Sequence, residues 1–246
     1  MSRRYDRLLA EMEALVNQLA NRVPQPQWIQ IRQLRAYRHV ERTISQAIVQ
    51  KLARMVSTLD ATRILLNHGF VQEQASLQRV LEEIQEDILF LTVGILRNEE
   101  DSQLHQRYLD VFFQEEFDAD TAIGSSQKRS TVPRKKIQAY LSRHGFSPFD
   151  PSTGKELLRT ISNVYSGYIH AASPHVMEMY VGSTGRFHMR GLKGTPIYDE
   201  HQDDLRNYFF RAIWACAFAA KSFGDEPLFE RYRNLQREFD RLDGTS

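Results

Sequence analysis

Apolar residues recur every three or four positions over most of this chain, the spacing that puts them on one face of a helix. Tyr5, Leu8, Leu9, Met12, Leu15, Val16, Leu19 and Val23 predict a first helix, closed by Pro24 and Pro26. Ile31, Leu34, Ile44, Ile48, Leu52, Met55 and Leu59 predict a second helix from about Trp28 to Leu66, with a break near Tyr37 left open and His68-Gly69 as its stop. Residues 1–66 thus read as a long N-terminal helical hairpin. The third helix, about Gln72 to Leu96, carries Leu77, Val80, Leu81, Ile84, Ile88, Leu91 and Ile95 on one face, and its second half is apolar nearly all round. A fourth helix is expected from about Ser102 to Phe117.

The pattern lapses from about 121 to 132, where Gly124-Ser125-Ser126 and the following polar residues predict a mobile linker. A short helix follows over Pro133–Arg143. Thr153-Gly154-Lys155-Glu156 matches a capping box and opens a helix to Ala171. Ser173-Pro174 marks a new start, because proline fits the first helical turn. Between about 180 and 197, Gly182, Gly185, Gly191 and Gly194 interrupt any helix, predicting a loop or small hairpin. A long helix is expected from Asp199 to Gly224, and a last one carries Leu228, Phe229, Tyr232, Leu235, Phe239 and Leu242. The fold class that follows is all-α: one domain over 1–246, a bundle of seven or eight helices with one irregular Gly-rich insertion.

Composition narrows the function classes. Of 246 residues 41% are hydrophobic, enough for one large core, and the net charge of +1 gives no global attraction to nucleic acid or anionic membrane. Local charge is uneven: residues 97–120 carry a net −6 and residues 124–145 a net +6, expected to neutralise each other in part. The single Cys216, inside an apolar run, excludes an internal disulfide and a Cys-rich zinc site. The first residues read as amphipathic helix and the most apolar run is too short for a bilayer, so a cytoplasmic protein without membrane contact is expected. No cofactor motif is present.

Candidate chemistry is sparse. Arg159, Asn163, Ser166 and His170 share one side of the Thr153–Ala171 helix, a cationic row suited to an anion if covered, and a solvated face if not. Arg186, His188, Arg190 and Lys193 lie among the glycines, whose exposed amides help bind anions. Arg79, Glu83 and Asp87 are spaced for intrahelical ion pairing. Bundle di-metal sites also need Glu-x-x-His pairs, which are absent, so no metal is expected. Arg63 to His68 and Arg32 to His39 match the Arg–His spacing of helical HEPN ribonucleases. That family usually places a polar residue after the Arg and the motif late in the domain, whereas Ile64 follows Arg63 here.

Ala61–Ala75, leading into Leu77-Gln78-Arg79-Val80-Leu81-Glu82-Glu83, and the later Tyr165-Ser166-Gly167-Tyr168-Ile169-His170-Ala171 resemble a family of all-helical, mostly bacterial proteins known only as domains of unknown function. The resemblance covers about a third of the chain. It implies an all-helical fold and a shared polar cluster of Arg79, Glu83, Tyr165 and His170, and no known reaction. The expected function is therefore a non-catalytic interaction or anion-binding module, with a protein partner or self-association expected ahead of RNA. The alternative is a metal-independent, HEPN-like ribonuclease of a defence or toxin–antitoxin system, with His68 or His170 as general base.

Overall fold

The computed structural model describes residues 2–115, 117–121, 123–126, 131–145 and 165–241. Helices α1 (Ser2–Ala20), α2 (Ile44–Asn67), α3 (Val71–Leu96), α4 (Gln103–Phe112), α5 (Arg134–Arg143), α6 (Ser173–Met177), α7 (Pro196–Ser222) and α8 (Glu226–Arg241) are joined by two antiparallel hairpins. The first hairpin is β1 (Gln27–Ile31) with β2 (Leu34–Arg38); the second is β3 (Tyr180–Val181) with β4 (Arg186–Phe187). The protein is mostly helical, as the periodicity requires.

The helix expected from Trp28 does not form. Trp28 pairs with Tyr37 and Ile31 with Leu34 across a two-residue turn whose Arg32 is left-handed (φ 51). Alternation over Trp28-Ile29-Gln30-Ile31, with a half-buried face of Ile29, Ile31 and Ala36, is a period of two and not 3.6. The chain enters α2 only after Thr43, whose hydroxyl accepts from Gln46 N (3.2 Å) while Thr43 N donates to Gln46 Oε1 (2.9 Å). The N-terminal hairpin of two helices is therefore two packed helices with a β-hairpin between them.

Helix α3 is the axis of the fold, packed against α2, α5 and α7. Leu192 N donates to Gly69 O (2.8 Å) just before it, and Gln85 Nε2 donates to Tyr208 O (3.0 Å) further along, so α3 and α7 run in the same direction. One apolar cluster extends from Tyr5 through Met12, Leu52, Ile88 and Phe209 to Phe239. Cys216 is fully buried in it, where desolvation pushes the thiol pKa up and removes nucleophilic character. His105 is also structural: its Nδ1 pairs with Ser102 Oγ (2.8 Å), its Nε2 with Phe90 O (3.1 Å), and it stacks on Phe90. No helix of the described residues is long and apolar enough to cross a membrane.

Among the described residues the partial neutralisation of the two charged neighbours is slight. Glu115 and Asp120 are paired by Arg38 and Arg32 of the first hairpin, and Arg134 turns to Glu86 and Asp87 on α3; among the described residues one ion pair, His144 with Glu99 (3.5 Å), joins the two stretches. Asp118 accepts from Ser125 Oγ and Ser126 N, inside the stretch read as a linker, and these bonds hold its carboxyl down at about 2. Residues 122 and 127–130 of that stretch lie outside the described residues.

Candidate functional site

The Gly-rich insertion is a built hairpin, pinned at both ends to the α2–α3 turn. Helix α2 ends in a Schellman arrangement: Phe70 N bonds Leu65 O (2.9 Å), Gly69 N bonds Leu66 O (2.8 Å), and Gly69 is left-handed (φ 82). Gly191 (φ 103) packs against this turn so closely that a Cβ there would sit 2.6 Å from His68 O. Leu192 follows, buried, and Thr195 then caps α7, receiving Tyr198 N (3.4 Å) ahead of Pro196. On the entry side, Gln72 Nε2 donates to His175 O (2.8 Å) and to Glu178 Oε2 (3.0 Å). The hairpin is thus positioned by the rigid junction of the two central helices.

Within it Tyr180 faces Phe187 and Val181 faces Arg186, with His188 N donating to Met179 O (2.9 Å). Thr184 N and Gly185 N both donate to Val181 O, and Thr184 Oγ1 meets His188 Nε2 at 3.1 Å. His188 is therefore held inside the turn. Arg186, Arg190 and Lys193 are exposed, and among the described residues none of their side chains has a hydrogen bond or ion pair. From Met179 to Tyr198 there is no acid. The bracketing Glu178 is occupied by Gln72 and by Tyr168 Oη (3.1 Å), while Asp199 and Glu200 are exposed on the first turn of α7.

Next to the hairpin lies a polar cluster of which the sequence singled out Tyr165 alone. Tyr168 Oη donates to Glu178 Oε1 and lies 3.3 Å from His201 Nε2; His201 Nδ1 is 3.7 Å from Asp204 Oδ2, which accepts from Tyr165 Oη (2.9 Å). The order Asp204, His201, Tyr168 has the outline of a nucleophile relay, but the proton balance opposes that chemistry. The Tyr168 proton goes to Glu178, and burial together with the Glu178 charge pushes the phenol pKa up. Burial lowers that of His201, which makes it a weaker base. The cluster acts as a staple between 165–178 and α7. Gly167 belongs to it, since a Cβ there would meet the His175 ring at 2.2 Å.

The remaining sequence candidates scatter. Arg159 and Asn163 lie outside the described residues, as does the capping box at Thr153. Ser166 is half-buried and His170 is exposed at the end of a helical turn, so His170 is not in a sheltered hollow. Arg79 pairs with Glu83 (2.7 Å) and reaches Glu82 (3.4 Å), while Tyr165 pairs with Asp204; among the described residues no bond joins the two pairs. Asp87, read as part of the Arg79 ion-pair row, instead binds Lys51 (2.7 Å) and Arg134. Arg63 is held by Asp6 (3.1 Å) and Asp60 (2.6 Å), and His68 Nδ1 by Ile64 O (2.8 Å), so that Arg–His spacing does not converge. Arg32 and His39 likewise go separately to Asp120 and Pro24 O.

Helix α3 also buries Gln74, Gln78, Glu82 and Gln85, with both amide atoms of Gln74 and Gln78 unpartnered. Spacings of three and four residues, offset from the apolar stripe, are the signal for this row in the sequence. Desolvation pushes Glu82 up to about 7. Three grooves lie elsewhere: one of about 550 Å³ between α1 and α2, flanked by Asp6, Glu13 and Asp60, one of about 510 Å³ beside Glu41, Arg42 and Asp110, and one of about 490 Å³ under the first hairpin, beside Tyr37, Phe112 and Glu115. Among the described residues no group of three or more His, Cys, Asp or Glu is arranged to hold a metal ion. Comparison with known proteins adds nothing to this geometry: no family model, no curated protein and no solved structure matches the chain.

Proposed function

We propose that this protein is a non-catalytic binding module for a polyanion, with the 180–193 hairpin as its contact surface. One observation carries the reading. Among the described residues Arg186, Arg190 and Lys193 stand together, all three without an ion pair, on one acid-free hairpin, whereas on the first hairpin Arg32 and Arg38 each have a carboxylate within 4.0 Å. Unpaired cations on a rigid support bind phosphates without first breaking an internal bond, and that preorganisation favours a ligand.

Titration with inorganic polyphosphate at several salt concentrations tests it. Three released counterions give a log–log salt slope of about −2 to −3, and Arg186→Ala lowers its magnitude by about one. No binding at low salt, or a slope indifferent to all three cations, sinks the reading. Incubation with RNA should return it intact; cleavage that disappears on His68→Ala or His170→Ala would replace the module with a ribonuclease.

A further inference from the structure

We infer that the polyanion is a single-stranded nucleic acid, its bases stacked on Tyr180 and Phe187 and its phosphates held by Arg186, Arg190 and Lys193. This rests on the anion-binding reading and names its ligand. Tyr180 and Phe187 stand directly opposite on one face of the hairpin, ring centroids 5.3 Å apart and edge to face at 69°. They are 41% and 42% exposed, and Met189 two positions on is 75% exposed. An exposed aromatic pair gains little from water, and its free ring surfaces accept any base, because every base has a π-face. Arg186 points to the other face of the same narrow strand pair, and Arg190 and Lys193 continue the chain beyond it. The aromatic surface is therefore followed and flanked by positive charge, the combination that binds single strands with little sequence preference.

Two alternatives fit less well. A hairpin that enters an anionic membrane carries apolar residues at its tip, but the tip here is Gly182-Ser183-Thr184-Gly185. A duplex hides its base faces in the stack, leaving the two rings without a role.

The test is fluorescence anisotropy with a labelled single-stranded oligonucleotide, its duplex, polyphosphate and vesicles containing anionic lipid. Three proteins are compared: wild type, Tyr180→Leu/Phe187→Leu, and Arg186→Ala/Arg190→Ala/Lys193→Ala. Leucine keeps apolar bulk and hairpin packing but removes the π-face, so a merely structural role survives that change; circular dichroism checks the fold. The expected result is a single-strand affinity reduced about 10- to 100-fold by the leucine pair, with polyphosphate affinity unchanged, and both affinities reduced by the alanine triple. Unchanged single-strand binding in the leucine pair overturns the stacking inference while leaving the polyanion reading intact, as does equal affinity for duplex. Tighter, leucine-sensitive binding to vesicles assigns the hairpin to a membrane and overturns it as well. Loss of polyphosphate binding already in the wild type removes both readings together.

Discussion

The two hairpins of this protein share a construction and differ in what they do with their charge. Each pairs two aromatic residues across exposed strands: Trp28 with Tyr37 in the first, at 4.7 Å, and Tyr180 with Phe187 in the second. The first hairpin uses two of its three arginines as tethers. Arg38 Nε and Nη2 grip Glu115 at 2.8 and 2.9 Å, and Arg32 holds Asp120 and the Asp118 carbonyl. The second is tethered through Leu192 N to Gly69 O, the Gly191 contact and the uncharged Gln72 amide on His175 O and Glu178, and its cations stay free. A hairpin anchored by its side chains has most of its charge committed, Arg35 alone excepted here among the described residues; one anchored by glycine contacts can offer all of its charge to a ligand. Exposed aromatic residues alone do not separate the two cases.

That contrast can be broken most sharply at the anchors and the cations. Arg186→Ala/Arg190→Ala/Lys193→Ala should weaken polyphosphate binding by about 30- to 100-fold at low salt, three phosphate contacts' worth, without moving the unfolding midpoint. Arg32→Ala/Arg38→Ala should do the reverse; equal losses of binding in the two variants would erase the distinction. Gly191→Ala forces a left-handed residue against His68 O and should cost about 2–3 kcal/mol in a denaturant titration. The analogous change in the first hairpin's support, Arg38→Ala, removes an exposed pair and should cost only about 0.5–1 kcal/mol. Trp28→Ala is expected to change stability by about 0.5 kcal/mol or less and polyanion affinity not at all; a large loss of affinity would move the binding surface to the first hairpin.

The interior polar row offers a pH-dependent check that depends on neither hairpin. The folded Glu82 holds its proton up to about 7, whereas the unfolded residue releases it near 4.5. Its contribution is therefore favourable below the unfolded value and lost as pH rises through 7. Glu82→Gln should stabilise the protein by about 2–3 kcal/mol above pH 7, the gap closing below pH 5. His105 and His201 oppose this trend: burial lowers both, so their stability is present above the ordinary histidine range and lost as pH falls through it. Urea midpoints of wild type and Glu82→Gln at pH 5 and pH 8 measure the sign directly.

Much of the helical fold is legible in the chain because its causes are local. The α3 stripe, the His68-Gly69 stop, the Ser173-Pro174 start and the Gly224 end each rest on residues a few positions apart. The first hairpin was not legible as such, since no glycine or asparagine marks its two-residue turn and Ile31 and Leu34 also fit a helical spacing. For the candidate site, the sequence located the cations among the glycines but not their freedom. Whether Arg186 is free and Arg38 bound depends on whether an acid from a distant segment, such as Glu115, is brought within reach, and spacing along the chain holds no record of that. The same holds for the staple of Tyr168, His201, Glu178 and Asp204, drawn from two elements, and for Glu82, whose proton is retained because neighbouring helices exclude water. Periodicity and caps decide which segments are helices, because those energies act within one or two turns. Burial, charge pairing and the choice of which cation faces solvent were decided by tertiary packing, because they depend on what surrounds a group in space.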